Sequence, residues 1–495
     1  MKPDGSHARF DFAAAVPTAL DLGAVHLIAI GGAGMSGVAL LFLEAGMVVS
    51  GSDAAPSHAL EVLAQAGATV HVGHDPSHLG DADTVVISGA VSEANVELTA
   101  ARERGLRVLH RAQGIAALSQ TRDAVAVAGA NGKTTTSAML VAALDVDQLD
   151  PGFVIGSVLV QHGTSAHLGE GPMVIEADES DGSFLAYRPR VAIVTNVTAD
   201  HLDYYGDFAA VEQAFDAFVC TLGDDGLLVA NADDPGSQTL AQHARARGQQ
   251  VLTWGEDPSA DVQILSIAQH GRMTQATLRW NREVAGTAAL TRRQLSVPMP
   301  GAHNVHNALA ALLAATAGFD RPLAGVLSGL GRFAGTRRRF EFIARAGGVE
   351  IIDDYAHNPA KVAALVSAAR SVVGQQGRLV IAFQPHLYSR TADFAAQFAH
   401  ALRGADVVVV LDVFGAREAP VAGVSGKLIV DALSQLESAG VSAPGPRVHY
   451  APDRESAAVV VASVVRSHDV LVTVGAGNIT TLGREVAMIV ERANG

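Results

Sequence analysis

The sequence predicts an α/β fold built in three segments, and three observations carry that expectation. Its 495 residues exceed what one compact core fills, so several domains are expected. Hydrophobic residues make up 49% but aromatics only 5%, so Val, Ala, Leu and Ile must build the cores, as parallel strands buried on both faces require. Short apolar runs alternate with helical patterns along the chain, joined by glycine turns. That alternation implies parallel sheets with right-handed crossovers.

The first segment, residues 1–120, opens on the apolar run Val25–Ile30, a glycine turn at Gly31–Gly37 and an Ala/Leu-rich helical stretch to Ala45. Met47–Ser50 and Thr84–Ser88 read as further strands, with a helix near Ala59–Ala66. The second segment, 121–334, begins with the strand Ala124–Ala128 and continues through Met173–Ile175 and Val191–Val194. Its stretch from Leu227 to Pro300 alternates polar and apolar residues, which predicts extra strands before Pro300–Asn307 and an Ala/Leu-rich helix. The third segment, 335–495, carries strand runs at Val349–Ile352, Arg378–Phe383, Val407–Leu411 and Val470–Val474.

The formal net charge is −15, and no basic run extends beyond Arg337–Arg339, which argues against nucleic acid as a partner. The single Cys220 excludes an intrachain disulfide framework and fits a reducing compartment. No 18-residue apolar run and no secretion signal are found, so a cytoplasmic protein without membrane spans is expected.

Gly129-Ala130-Asn131-Gly132-Lys133-Thr134-Thr135 follows an apolar strand and precedes a helical stretch. Backbone N–H groups at such a turn form a phosphate site, Lys133 adds a charge for the terminal phosphates, and Thr134 adds a hydroxyl for Mg²⁺. The loop is short, with Val127 where the longer pattern has its first Gly. Gly32-Ala33-Gly34-Met35-Ser36-Gly37 fits a dinucleotide turn, with Asp53 placed as a ribose-binding acid. It suits the pyrophosphate of NAD(P), that of a UDP-sugar, or a tight turn with no ligand. Glu176, Asp178, Glu179 and Asp181 pack four acids into six residues after a strand, as hard oxygen ligands for Mg²⁺ or as a solvated loop. Beside them, His201 at the end of Thr195–His201 is a candidate ligand for a second cation or the transferred phosphoryl group. Asp353–Pro359 and Gln384–Arg390 each follow a third-segment strand, where polar groups face a ligand crevice, and His386 with Arg390 suits a small carboxylate.

In this order the strings resemble the Mur ligase family: Gly31–Gly37 with Ser50–Asp53, Gly129–Thr136, Glu176–Asp181, Thr195–His201, Pro300–Asn307, Arg338–Phe340, Asp353–Pro359 and Phe383–Thr391. The match covers nearly the whole chain. The resemblance implies an N-terminal Rossmann-like domain for a UDP-sugar, a central P-loop ATPase-like domain with a mixed sheet, and a C-terminal Rossmann-like domain for an amino acid. It implies ATP and Mg²⁺ as cofactors, and UDP-N-acetylmuramate and L-alanine as substrates, joined at the lactyl carboxylate through an acyl phosphate in peptidoglycan precursor synthesis. The alternative within the family adds a recycled murein peptide to the same sugar nucleotide. Outside it, a dehydrogenase would rest on Gly32–Asp53 alone and leave the phosphate loop unexplained.

By the same resemblance, Lys133, Glu176, His201, His357 and Arg390 are catalytic, and Thr134, Glu176 and His201 hold metal. Gly129 to Thr135, His303, Asn304 and Arg338 would hold the nucleotide, with Arg339 beside them. Gly32, Gly34, Met35, Ser36, Asp53, Tyr355 and His386 would bind substrate, with Asp353 at the amino-acid end. Ala130 and Asn131 stand where the family loop has Thr and His. Ala356, Asn358, Lys361 and Leu387 depart from the family pattern where the incoming amine is selected.

Overall fold

A computed structural model describes residues 9–146, 149–416, 418–438 and 445–494. The chain divides into two compact units. The first runs to Ile267 and adds Ala276–Ser296 and Val305–Phe333, and the second holds Ala268–Gln275, Val297–Asn304 and the chain from Ala334.

The first unit begins with a parallel sheet of β1 (Val25–Ile28), β2 (Val49–Asp53), β3 (Thr69–Val72), β4 (Thr84–Ile87) and β5 (Arg107–His110), in the order β3-β2-β1-β4-β5. Helices α1 (Ala33–Glu44), α2 (His58–Gln65), α3 (Val96–Glu103) and α4 (Arg111–Ser119) lie between or after its strands. Strand order reverses between β1 and β4, and the carboxyl ends at such a switch open a ligand crevice. β1 is two residues shorter than the apolar run suggests. Ala29 takes φ 60, so the chain has already left the strand, although the Ile30 N–H still donates to the Ser52 carbonyl at 2.9 Å.

The second sheet has ten strands: β6 (Ala124–Ala128), β7 (Gly152–Val154), β8 (Ala166–His167), β9 (Met173–Glu176), β10 (Val191–Val194), β11 (Leu227–Asn231), β12 (Gln250–Gly255), β13 (Val262–His270), β14 (Met273–Trp280) and β15 (Arg292–Val297). β6 sits centrally, flanked in parallel by β9 and β10, and all five of its residues are buried. Buried on both faces, it reads as an unbroken apolar run. Its helices are α5 (Lys133–Leu144), α6 (Leu202–Tyr205), α7 (Phe208–Val219), α8 (Pro235–Ala246), α9 (Ala302–Leu313) and α10 (Leu323–Gly331). α9 begins at Ala302, so most of the Pro300–Asn307 string lies inside the helix rather than ahead of it.

The second unit contains a six-stranded sheet of β16 (Glu341–Ala346), β17 (Val349–Asp354), β18 (Leu379–Phe383), β19 (Val407–Val410), β20 (Arg447–Tyr450) and β21 (Val470–Val474). Its order is β16-β17-β21-β18-β19-β20, parallel except for the antiparallel edge β16. Helices α11 (Pro359–Val372), α12 (Tyr388–Leu402), α13 (Lys427–Ser438), α14 (Arg454–Val464) and α15 (Leu482–Asn494) accompany it. Among the described residues no helix is long and apolar enough to cross a membrane.

Candidate functional site

The phosphate loop joins the carboxyl end of β6 to α5, as the strand-turn-helix pattern requires. Gly129 at φ 131 lies so close to β10 that a Cβ there would stand 2.1 Å from the Thr195 hydroxyl, so only glycine fits. Lys133 Nζ donates to the Gly129 carbonyl at 2.8 Å and to Glu179 Oε1 at 2.6 Å. The backbone donors left open at this turn are not those expected. The Ala130 N–H donates to the Asn196 carbonyl at 3.3 Å and the Asn131 N–H to Asn196 Oδ1 at 3.0 Å. Asn196 Nδ2 and the Thr195 hydroxyl in turn donate to the Asn131 carbonyl, at 2.9 and 2.7 Å. The loop is thus tied down by its neighbour. The helical ladder begins only at the Thr136 N–H to the Gly132 carbonyl, so the anion-seeking donors are those of Lys133, Thr134 and Thr135 at the start of α5. His303 and Asn304 belong to the other compact unit, where Asn304 is buried and its Nδ2 donates to the Pro300 carbonyl at 2.8 Å.

Glu176, at the end of β9, accepts the Thr134 hydroxyl on Oε1 at 2.8 Å and the Gly156 N–H on Oε2 at 2.6 Å. A Cβ on Gly156 would stand 3.0 Å from that carboxylate, so the backbone approaches it as closely as glycine allows. Glu179, read from the sequence only as one of four acids, has a distinct place in the structure. It is 2% exposed, takes Lys133 on Oε1, and lies 3.8 Å from His201 Nε2 through the same oxygen. Its Oε2 is buried and has no hydrogen-bond partner among the described residues. Burial pushes the Glu179 carboxyl above the usual range, with Lys133 opposing. Tyr205 donates its hydroxyl to the Glu179 carbonyl and braces the acidic string from α6.

Thr134 and Glu176 form one cluster of hard oxygens; His201 instead joins Lys133 at Glu179, so the three residues expected to hold metal divide between two places. Among the described residues, no group of three or more His, Cys, Asp or Glu is placed to hold a metal ion by itself. This donor set fits Mg²⁺, which takes one or two protein oxygens and completes its shell with water and phosphate. The orphaned Glu179 oxygen beside Lys133 likewise suits a site completed by ligand atoms.

In the first sheet, the turn Gly31–Gly34 feeds α1, where Gly32 and Gly34 are exposed and Ser36 half-buried. Met35 is 3% exposed and turned into the core, and its N–H returns to the Gly32 carbonyl at 3.0 Å. Asp53 Oδ2 accepts the Gly31 N–H at 2.9 Å, which locks the turn to the end of β2. One cavity of about 190 Å³ is lined by Gly34, Arg111, Lys133, Gly156 and Glu176. The start of α1 and the phosphate loop therefore face the same space. Arg111, at the start of α4, donates Nη2 to Asp178 Oδ2 at 2.9 Å. Burial pushes Asp178 upward, but Arg111, Ser180 and Lys133 together hold it below the usual carboxylate range.

In the second unit, Asp353 and Asp354 belong to β17 and do not follow it, because the register with β21 runs to Asp354↔Val474. Asp353 is fully buried, accepts the hydroxyls of Thr473 and, at 2.7 Å, Thr480, and so serves the sheet rather than a ligand crevice. Arg338 donates Nη2 to the carbonyls of Gly475 at 2.6 Å and Gly477 at 3.1 Å and lies 4.7 Å above the Tyr355 ring. That edge of its guanidinium faces the protein rather than a phosphate. Arg339 also stacks on Tyr355, at 5.4 Å.

His357 Nδ1 donates to the Tyr355 carbonyl at 2.9 Å, which leaves Nε2 as an acceptor. Burial pulls His357 down to about 4, assisted by the charges of Lys361, Arg390 and Arg339, so it is neutral at pH 7. His386 is also lowered, by burial and then Arg390, whose Nη1 sits 3.4 Å from His386 Nδ1. The His357 and His386 rings lie 6.2 Å apart, which gathers Tyr355, His357, His386 and Arg390 at one sheet edge. Asn358 caps α11 by accepting the Lys361 N–H at 2.9 Å, and Leu387 takes φ 71 ahead of α12.

Sequence reasoning offered Glu179 only as one of four acids, and missed the parts played by Asn196, Arg111 and Asn307. Asn196 and Asn307 lie inside quoted strings. Asn307 shows its role only in three dimensions, buried with Oδ1 3.1 Å from the Thr136 hydroxyl and abutting Gly132.

Three family models match the chain: Mur ligase family, catalytic domain, over residues 24–122; Mur ligase middle domain over 127–315; and Mur ligase, glutamate ligase domain, over 338–477. The UDP-N-acetylmuramate–L-alanine ligase of Kineococcus radiotolerans is 52% identical over 477 residues, 96% of this chain and 97% of that protein. Its counterpart in Thermobifida fusca is 46% identical over 94% of this chain and 96% of that protein. Among solved structures, the UDP-N-acetylmuramate-alanine ligase of Thermotoga maritima superposes with a TM-score of 0.78 at 28% identity, covering 95% of this chain and 99% of that one. A murein peptide ligase of Psychrobacter arcticus gives 0.66 at 25% identity, with the same coverage. The chain belongs to the Mur ligase family.

Proposed function

We propose that this protein is the ATP-dependent ligase that joins L-alanine to the lactyl carboxylate of UDP-N-acetylmuramate through an acyl phosphate, an early step of peptidoglycan precursor synthesis. The observation carrying the reading is the single cavity that Gly34, Lys133 and Glu176 line together. A pyrophosphate resting on the start of α1 would present the sugar's carboxylate toward the loop that holds the transferred phosphate. The names of the full-length relatives support the same reaction over the peptide-recycling alternative. The domain division is proposed as 1–120 for the sugar nucleotide, 121–334 for ATP and 335–495 for the amino acid.

Within that scheme, Lys133 and the open N–H groups of Lys133, Thr134 and Thr135 bind and stabilise the transferring phosphoryl oxygens. Thr134 and Glu176 would hold Mg²⁺, which neutralises charge developing between the phosphates. Glu179 holds Lys133 and faces His201, keeping both at the loop. His303 and Asn304 remain candidates for the adenine nucleotide. In the third domain, the neutral His357 presents an acceptor nitrogen to the incoming amine, while Arg390 suits its carboxylate. Tyr355 and His386 frame that end.

Two measurements test this. ADP release is screened with each of the twenty amino acids and a murein tripeptide, with and without UDP-N-acetylmuramate. L-alanine is expected to give the highest kcat/KM, and a faster reaction with the tripeptide would overturn the assignment. Because Ala356, Asn358, Lys361 and Leu387 differ from the family pattern, the same screen reads how strictly alanine is chosen. Separately, Asp53→Ala frees the Gly31 N–H and is expected to weaken the sugar nucleotide about tenfold while leaving ATP affinity unchanged. Equal losses for both ligands would place the glycine turn elsewhere in the mechanism.

A further inference from the structure

We infer that Arg111 holds the carboxylate of the sugar nucleotide while it is activated; the inference rests on the functional reading above. Arg111 opens α4 immediately after β5, so the crevice edge of the first sheet supplies it. Its Nη2 is anchored on Asp178 of the central acidic string at 2.9 Å. Its Nη1 points toward the start of α1, where a Cβ on Gly34 would lie 3.4 Å away. Among the described residues, Nη1 and Nε make no hydrogen bond. One edge of the guanidinium is therefore fixed and the rest is open, the arrangement that lets a planar fork receive a carboxylate without first being ordered.

Charge selects the same residue. Burial works against the Arg111 cation, but Asp178 foremost, then Tyr187, Asp181 and Glu176, outweigh it and keep its pKa above the ordinary value. The cavity wall already carries the carboxyl groups of Glu176 and Asp178, so a substrate carboxylate entering there needs a facing cation. Lys133, the other cation on that wall, is held by the Gly129 carbonyl and Glu179. Arg111 shares one cavity with the start of α1, where the pyrophosphate would rest, and with Lys133, where the phosphoryl group would arrive, so it lines the space in which the lactyl carboxylate would meet the phosphate loop.

The test is a calorimetric titration of the full chain with Mg²⁺ and a non-hydrolysable ATP analogue present. Two ligands are compared: UDP-N-acetylmuramate, and UDP-N-acetylglucosamine, which has the same pyrophosphate but no lactyl carboxylate. Arg111→Met combined with Asp178→Asn removes the cation without leaving its partner charge buried, and thermal melting checks the fold. This variant is expected to bind UDP-N-acetylmuramate roughly 10- to 100-fold more weakly, with UDP-N-acetylglucosamine unaffected. Arg111→Lys keeps the charge but loses the fork, and is expected to cost about fivefold for UDP-N-acetylmuramate alone. It decides the question if the double variant does not fold. Equal weakening of both sugar nucleotides would assign Arg111 to the pyrophosphate and overturn the inference, as would unchanged affinity for UDP-N-acetylmuramate in a folded variant. If the unmodified protein fails to bind UDP-N-acetylmuramate, the functional reading falls first and this inference with it.

Discussion

Lys133→Ala is expected to lower the turnover number by about a thousandfold or more while leaving a folded protein. In phosphoryl transfer the protein works by positioning and by stabilising charge, and Lys133 sits where both are needed, on the first turn of α5 with Nζ over the loop. Its ammonium is also pre-positioned, because the Gly129 carbonyl and Glu179 Oε1 fix it before any substrate arrives. A positive group that is already oriented has no reorganisation to undergo during the reaction. The fold survives because of the sign of the Glu179 shift. Burial already pushes that carboxyl upward and Lys133 is its main opponent, so removing the lysine raises it further. Loss of the lysine therefore favours the neutral Glu179 carboxyl over an uncompensated buried charge. Initial rates of ADP release, compared with a melting curve, check both halves. Near-normal turnover in folded Lys133→Ala would refute the mechanism.

Glu176→Ala is the second large effect, a loss of about a hundredfold or more in turnover at fixed Mg²⁺, accompanied by a rise in the Mg²⁺ concentration that gives half-maximal rate. Glu176 binds both the Thr134 hydroxyl and the Gly156 N–H, so it arranges the hard-oxygen cluster as well as belonging to it. A role confined to structure would depress the rate without moving the Mg²⁺ midpoint. The discriminating measurement is therefore the full Mg²⁺ titration, and an unmoved midpoint would remove Glu176 from the metal site.

The strands that the sequence reveals are those buried on both faces. β6, β10, β18 and β19 are continuous apolar runs, each lies inside its sheet, and each is fully buried. Among the strands it conceals are four edges. β3 and β5 border the first sheet, and β16 and β20 border the third. Their sequences, such as Arg107–His110 and Arg447–Tyr450, mix charge with apolar residues because one side is partly open to water. The ends of the anticipated strands are legible to within three residues, and β17 continues through Asp353 and Asp354 because hydroxyls and main-chain N–H groups satisfy those acids inside the sheet.

The site divides along the same line. Local order alone singled out Lys133, Thr134 and Glu176 as candidates for a nucleotide site, because a turn between a buried strand and a helix, followed by acids after the next strand, has few other chemical uses. It also singled out the glycine turn at Gly32–Gly37, but not which pyrophosphate that turn receives. Tertiary structure decided which groups are spent and which are open. Asn196 takes up the N–H groups of Ala130 and Asn131, Glu179 rather than Glu176 holds Lys133, Met35 turns inward, and Arg338 is tied to carbonyls. None of these follows from spacing along the chain, because each depends on a partner brought up from another part of the fold. The sequence by itself determined the chemistry on offer: two phosphate-seeking helix starts and a run of hard oxygen ligands. Only packing brought Gly34, Arg111, Lys133 and Glu176 around one cavity, since that convergence requires residues from two sheets to meet.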